Sequence, residues 1–412
     1  MSLASDVRTF ADRLRDAVAT RRDRRAALRL LASRPAVERG TVEVVLYFAD
    51  PAVNLYQVRQ WYEPLRRLAE THPVVVVSRF PDATLALARE CPLPVVHMST
   101  IAQLEEWLTT QPVAMFVYVN QNRENFSTLR FAEPAHVFVS HGESDKASYM
   151  ASNQLKAYDA VMVAGPAAVR RIGSRLVGMD PGHLVTIGRP QVDVAHETPV
   201  DLPDDGRTVV LYAPTWEGDR PSMAYSSVVT HGPALLRALL DDPTVRVVYR
   251  PHPRTGAQDR AYARGHAELV RLVQAANAAD PAARHLVDTE SPFGWHLAAA
   301  DVCVTDVSAV AYDWLATGKP LVLTTPAPTA AVDPGSLPTR LPTLDAADAS
   351  RVVETIARAR AGHDGEADVV ADYFGDTSPG ASMRRFLDGA HRIVTERQRA
   401  LAARATQSGE VA

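Results

Sequence analysis

Four short stretches of this 412-residue chain bring together side chains able to move a proton or hold a phosphate. In the first, an apolar run ending in Ser140 leads directly into His141 and Gly142. An imidazole at the end of a strand-like run, beside a flexible turn, suits a general base, because neutral His can take up a proton near neutral pH. The plainer alternative is a histidine that caps the turn. In the second, Arg250 and His252 follow a Val-Val-Tyr run and alternate with Pro251 and Pro253. A guanidinium and an imidazole on a loop stiffened by two prolines suit a diphosphate or a departing phosphate; the alternative is a rigid loop with a surface Arg. In the third, Asp306 and Ser308 stand at a turn between an apolar run and a helical stretch, where unpaired N–H groups can face an anion. Both residue types also serve as ordinary N-caps. The fourth stretch, Tyr212 to Trp216, sets the hydroxyl of Thr215 and the ring of Trp216 after another strand-like run. Thr215 suits a phosphate contact, and Trp216 serves equally well as packing where domains meet.

The elements that must position these residues follow from the hydrophobic pattern. Apolar runs at 42–48, 74–78, 95–98, 113–119, 136–140 and 160–164 alternate with amphipathic stretches such as 55–68 and 84–89. Continuous apolar runs of this length suit strands buried on both faces of a parallel sheet. A second series, 208–212, 245–249, 285–287, 302–305 and 320–323, begins after a Pro- and Asp-rich stretch at 199–205. The reading is therefore α/β with two doubly wound units, and open sheets of this kind bind ligands in the crevice at the carboxyl ends of their strands. The expected divisions are an N-terminal basic amphipathic helix over 1–39, an acceptor-side domain over 40–190, a nucleotide-donor domain over 191–380, and a C-terminal helix and tail over 381–412 that packs back across the domains. In the first helix Leu3, Val7, Phe10, Leu14 and Val18 share one face, and Arg21, Arg22, Arg24, Arg25 and Arg29 suggest contact with an anionic membrane surface; the alternative is a packing helix with solvated arginines.

Composition excludes several classes. A net charge of −4 argues against a protein that coats nucleic acid. The two cysteines, Cys91 and Cys303, lack partners at ligand spacing, so neither a disulfide framework nor a zinc site is expected. No apolar stretch reaches spanning length and no signal peptide is visible, which points to the cytoplasm, with the inner face of the membrane as a possible station. The sequence holds no GxxxxGK[ST], no GxGxxG after the first strand, no GxSxG and no HExxH, and no Asp-X-Asp at a strand end, so neither cofactor nor metal is expected.

Taken together, His141-Gly142, Tyr212 to Trp216, Arg250-Pro251-His252-Pro253 and Thr305-Asp306-Val307-Ser308 resemble, in order and spacing, the CDP-glycerol glycerophosphotransferase family of teichoic-acid-type polymer synthesis. Ile187-Gly188-Arg189-Pro190, Tyr312-Asp313-Trp314-Leu315 and Gly318-Lys319-Pro320 extend the resemblance, which covers residues 138–323. It implies a GT-B fold and transfer of a polyol phosphate from a CDP-activated donor to an acceptor hydroxyl, with release of CMP. It further implies that His141 and His252 are the catalytic pair, His141 as the base and His252 with Arg250 on the diphosphate, and that Thr215, Trp216, Asp306, Ser308 and Ala309 bind the donor. The chain departs from the family pattern at Glu143, Ser144, Asp145 and Lys146 after His-Gly, and at Val307 and Ala309 in the Asp306 motif. Gly142, Glu143, Asp145 and Arg189 are expected as substrate contacts, the two carboxylates either reading polyol hydroxyls or standing in a solvated turn. The acceptor is expected to be a polyol phosphate or glycan, lipid-linked or not. The competing function is a GT-B glycosyltransferase acting on a nucleotide sugar. A UDP-sugar 2-epimerase and a non-catalytic scaffold stand further back, the first for want of a carboxylate cluster and the second because both histidines are kept.

Overall fold

The structure, a computed structural model, describes residues 3–143, 145, 152–291, 293–362 and 366–409, without the side chains of 3–14, 366, 408 and 409. Ser144 and Lys146 lie outside the described residues. Seven strands, β1 (Val44–Phe48), β2 (Val74–Ser78), β3 (Val95–His97), β4 (Met115–Tyr118), β5 (Ala135–Phe138), β6 (Ala160–Val163) and β7 (Leu184–Thr186), form an all-parallel sheet in the order β3-β2-β1-β4-β5-β6-β7. Six more, β8 (Thr208–Ala213), β9 (Val245–Tyr249), β10 (Leu286–Val287), β11 (Val302–Thr305), β12 (Leu321–Thr324) and β13 (Thr343–Leu344), form a second parallel sheet in the order β10-β9-β8-β11-β12-β13.

The apolar runs fold as strands because each face of each sheet meets its own core. Along β1, Val44, Leu46 and Phe48 join one cluster with Trp61 and Leu65, while Val45 and Tyr47 join another with Phe116, Tyr158 and Ile172. The second sheet repeats the arrangement, with Val209 and Leu211 on one side and Val210 and Tyr212 on the other. Strands β7 and β13 escape the sequence pattern, because Leu184–Thr186 and Thr343–Leu344 each include a threonine and leave at most two consecutive apolar residues to read.

The stretch expected as one helix over 55–68 divides into Tyr56–Arg59 and Tyr62–Leu68. The break frees Gln60 and Trp61 to donate side-chain hydrogen bonds back toward the end of β5 (below). The helix Ala381–Gly409 crosses back to the first domain and buries Met383, Phe386, Ala390 and Val394 in its core. Asp193 pins the return by accepting from the backbone N–H of Gly380 (2.9 Å) and Met383 (2.8 Å).

The N-terminal helix spans Leu3–Ala32 and rests its C-terminal part, through Ala27 and Leu31, against the first domain and the helix Pro81–Glu90. Arg34 fixes its end by donating to the carbonyls of Ala88 (3.1 Å), Cys91 (2.9 Å) and Leu93 (3.1 Å), the orphan acceptors at the close of that neighbouring helix. Of the expected apolar stripe only Val18 has a described side chain, and it is 60% exposed rather than packed. No helix among the described residues is long and apolar enough to cross a membrane.

Candidate active site

At the carboxyl end of β5 the backbone is forced into an unusual path. Ser140 has φ 62° and Gly142 φ 133°, and a non-glycine residue held in the left-handed region costs on the order of 1–3 kcal/mol unless its surroundings enforce it. Here they do. Trp61 Nε1 donates to the Ser140 carbonyl (2.6 Å), Gln60 Nε2 to the His141 carbonyl (2.6 Å), and Ser140 Oγ to the Gly142 carbonyl (3.0 Å). The clamp fixes the backbone on both sides of His141.

His141 Nδ1 lies 2.9 Å from the carbonyl of Val119, at the end of β4. A carbonyl can only accept, so the proton sits on Nδ1 and the ring lone pair on Nε2. Burial, with the positive charge of Arg189 nearby, lowers the His141 pKa to about 4, against the opposing pull of the Val119 carbonyl and Asp50. On the other side of the cleft His252 shows the reverse pattern: the backbone N–H of Arg254 donates to its Nδ1 (3.1 Å), so the neutral ring carries its proton on Nε2. Tyr56 stands between them, edge-on to His141 (centroids 5.9 Å) and to His252 (6.2 Å). Trp216 stacks on His252 at 6.3 Å, and the Arg254 guanidinium lies 4.0 Å from the Trp216 ring centroid.

The rest of the second domain's site is organised by buried carboxylates. Asp306 is fully buried and accepts from the backbone N–H of Thr215 (2.7 Å) and Ser227 (3.1 Å) and from Thr324 Oγ1 (2.6 Å). Burial pushes its pKa up, and these donors pull it back. Asp306 therefore ties together the loops after β8, β11 and β12, rather than standing open to a donor phosphate as expected from sequence. Ser308 is the N-cap of the helix Ala309–Leu315 but makes no capping bond through its side chain. Glu217, also buried, accepts from the N–H groups of Gly256 (2.9 Å), Gln258 (2.9 Å) and Asp259 (3.2 Å), and so shapes the loop that carries His252 and Arg254. Arg250 pairs with Asp288 (2.5 Å) and donates to the Ser291 carbonyl (2.8 Å). Asp288 in turn accepts from His296 Nε2 (2.7 Å), so Arg250 stands in an internal ion-pair network and not alone on the loop.

Glu143 and Asp145, expected as substrate contacts or a solvated turn, are neither exposed nor open. Glu143 accepts from the Ala164 N–H (2.5 Å) and Arg171 (3.2 Å). Asp145 accepts from Arg171 (2.6 Å), Tyr312 (2.6 Å), Tyr373 (2.8 Å) and the Leu337 N–H (2.6 Å). Four buried donors satisfy one carboxylate, and three of them belong to the second domain or the segment that follows it. Arg189 likewise pairs across the boundary with Asp313 and donates to Gln60 Oε1 (2.7 Å). These three residues brace the domains. Gly142 is a further point of contact: a Cβ there would lie 3.0 Å from the Cβ of Ala309.

Sequence reading missed Tyr56, Gln60 and Asn120. Asn120 donates to Asp50 (2.5 Å) and Gln57 (2.8 Å), so a polar cluster lies at the carboxyl ends of β1 and β4 beside His141. Asn120 closely follows β4, which was the available signal for it; Tyr56 and Gln60 had no such mark. Among the described residues no group of three His, Cys, Asp or Glu has an arrangement able to hold a metal ion.

Two doubly wound domains that turn the ends of their central strands to one crevice, with a final helix returning to the first domain, define the GT-B fold. The family is more specific. The chain belongs to the CDP-Glycerol:Poly(glycerophosphate) glycerophosphotransferase family, whose profile matches residues 100–327. Among solved structures it is similar to the wall teichoic acid polymerase TagF, at 14% identity over 95% of this chain and 98% of that one, with a TM-score of 0.58. It is also similar to a glycosyltransferase from Rickettsia africae ESF-5 (11% identity, 87% and 98% covered, TM-score 0.50) and to a putative UDP-N-acetylglucosamine 2-epimerase from Listeria monocytogenes (12%, 84% and 95%, 0.53). At these identities the likeness concerns the fold. A search of curated protein sequences finds no match.

Proposed function

We propose that this transferase moves glycerol phosphate, or a closely related polyol phosphate, from a CDP-activated donor to the hydroxyl of a growing wall or capsule polymer, releasing CMP. The observation that carries the residue roles is the opposite tautomers of the two histidines. His141, with its lone pair on Nε2, takes the proton of the acceptor hydroxyl as that oxygen attacks phosphorus. His252, with its proton on Nε2, donates to a phosphate oxygen and offsets the charge that gathers there in the transition state. Trp216, Arg254 and the hydroxyls of Thr215 and Ser308 complete the donor side. The polar cluster around Asp50 and Asn120 suits an acceptor rich in hydroxyls. A variant of TagF soaked with CDPG provides the parallel for the donor.

The N-terminal helix adds a location. Arg21, Arg22, Arg24, Arg25 and Arg29 are exposed, with Val18 and Leu28 exposed among them, a surface suited to shallow contact with anionic lipid at the inner membrane face, where a lipid-linked acceptor would lie.

The donor is tested by thermal unfolding with CDP-glycerol, CDP-ribitol, CMP and UDP-sugars. A ligand at 100 times its dissociation constant stabilises by about 2.7 kcal/mol. Stabilisation by the CDP-polyols and CMP is expected; stabilisation by UDP-sugars alone would replace this reading with a glycosyltransferase.

A further inference from the structure

Resting on that reading, we infer that Tyr56 decides between acceptor hydroxyl and water as the nucleophile. Its ring is the first-domain side chain that touches both histidines, edge-on to each. The reacting phosphorus must come within reach of both, so it passes alongside this ring. The residue is half-buried, and two glutamine side chains hold its hydroxyl and its backbone. Gln57 Nε2 donates to its hydroxyl (3.3 Å), and Gln57 is itself fixed by Asn120 (2.8 Å). Gln60 Nε2 lies 3.4 Å from the Tyr56 carbonyl and 2.6 Å from that of His141, so the turn carrying Tyr56 and the backbone carrying His141 are tied by one amide. An apolar wall fixed beside the base takes up volume that water would otherwise occupy, while a polyol chain lying along it gains ring contact and is oriented for attack.

The two competing reactions differ only in the nucleophile. An oxygen of the acceptor, or of water, forms a bond to the phosphorus bearing the glycerol. The bond from that phosphorus to the bridging oxygen breaks, its electron pair leaves on CMP, and the proton of the nucleophile goes to His141 Nε2. Transfer lengthens the polymer; hydrolysis yields free glycerol phosphate. Tyr56 is a specificity residue for this partition and takes no proton in either path.

The experiment measures CMP release and glycerol phosphate incorporation for the full chain, with CDP-glycerol as donor, in the presence and absence of an oligo(glycerol phosphate) acceptor. The variants are Tyr56→Phe, Tyr56→Leu and Tyr56→Ala, each checked by thermal unfolding. Tyr56→Phe keeps the wall and should retain the wild-type partition. Tyr56→Ala should lower incorporation at least tenfold while acceptor-independent CMP release stays level or rises, moving the ratio of hydrolysis to transfer at least tenfold. Tyr56→Leu, which keeps bulk, should fall between and carries the test if the alanine variant does not fold. Equal loss of both reactions in the leucine variant would reduce Tyr56 to a structural part, and faster transfer in the alanine variant would make it an obstruction; either result overturns the inference. Wild-type protein that neither releases CMP nor transfers would instead overturn the functional reading on which it rests.

Discussion

Gly142 and Ala309 meet tightly across the domain boundary: a Cβ on Gly142 would stand 3.0 Å from the Cβ of Ala309 and 3.4 Å from Arg189 Nη2, at a φ of 133°. The residue after the proposed base is thus one of the points at which the first domain rests on the second. Gly142→Ala should combine backbone strain of about 1–3 kcal/mol with a small local shift at the Ala309 contact. A lower melting temperature and a weaker donor Kd together are expected. A melting temperature equal to that of the wild type would show that the contact yields freely.

The two histidines should fail in different ways. His141→Ala should bind CDP-glycerol with near-normal affinity in calorimetry while turnover falls by about 10²- to 10⁴-fold, the usual cost of a lost general base. His252→Ala should lose both affinity and rate. Near-normal turnover in His141→Ala would remove it from the mechanism; Glu143 and Asp145, consumed by buried donors, do not stand ready to replace it.

The depressed pKa of His141 sets a pH dependence. Since this ring takes up a proton at about 4 in the folded chain, against 6.5 ordinarily, it remains a competent base through mildly acidic conditions. The log of kcat/KM should be flat from pH 8 to about 5, with no break at the ordinary value for His. Between 6.5 and 4 the unfolded chain binds the proton and the folded one does not, so stability contributed at this site falls as pH is lowered through that window. Urea unfolding of the wild type and of His141→Gln at pH 7 and 5 should show a smaller acid loss in the variant.

Asp145 offers a test of the bracing network apart from the chemistry. Asp145→Ala takes the shared acceptor from two tyrosine hydroxyls and a backbone N–H in a buried setting and leaves Arg171 with Glu143 as its remaining carboxylate. Breaking a buried pair from one side costs about 3–5 kcal/mol. Chemical denaturation should show a loss of this order, and Arg171→Ala should not add to it in full.

For the N-terminal helix, deleting residues 1–33 should weaken binding to anionic vesicles at low salt and leave the CDP-glycerol Kd unchanged. Intact protein that ignores such vesicles would make the helix a packing element only.

The extent to which all this could be read in advance follows the physics of each signal. Strands buried on both faces announce themselves as apolar runs, so both sheets were legible except at β7 and β13. His141 and His252 were legible because they follow such runs directly. Asp306 was visible as a polar residue at a strand end, but whether its oxygens face a ligand or three local donors depends on loops from β8 and β12 that sequence spacing does not bring together. The same holds for Glu143 and Asp145, whose partners Tyr312, Leu337 and Tyr373 lie far along the chain. Tyr56 carried no motif. Its importance arises from the break at Gln60 and Trp61 and from the position of His252 in the other domain.

The last helix has a consequence for how the chain is made. Met383, Phe386, Ala390 and Val394 complete a core whose other members lie between Val44 and Ile187. A ribosome adding 5–20 residues per second needs roughly 10–40 s to cover the about 200 residues between Ile187 and Val394. Through that interval the face of the first sheet around Trp61, Val139 and Met162 has no cover, while the whole second domain emerges and folds. The first domain to be translated is therefore the last to be finished. Chaperone dependence during synthesis should centre on that uncovered face, and a nascent chain stalled before residue 381 should expose it to limited proteolysis.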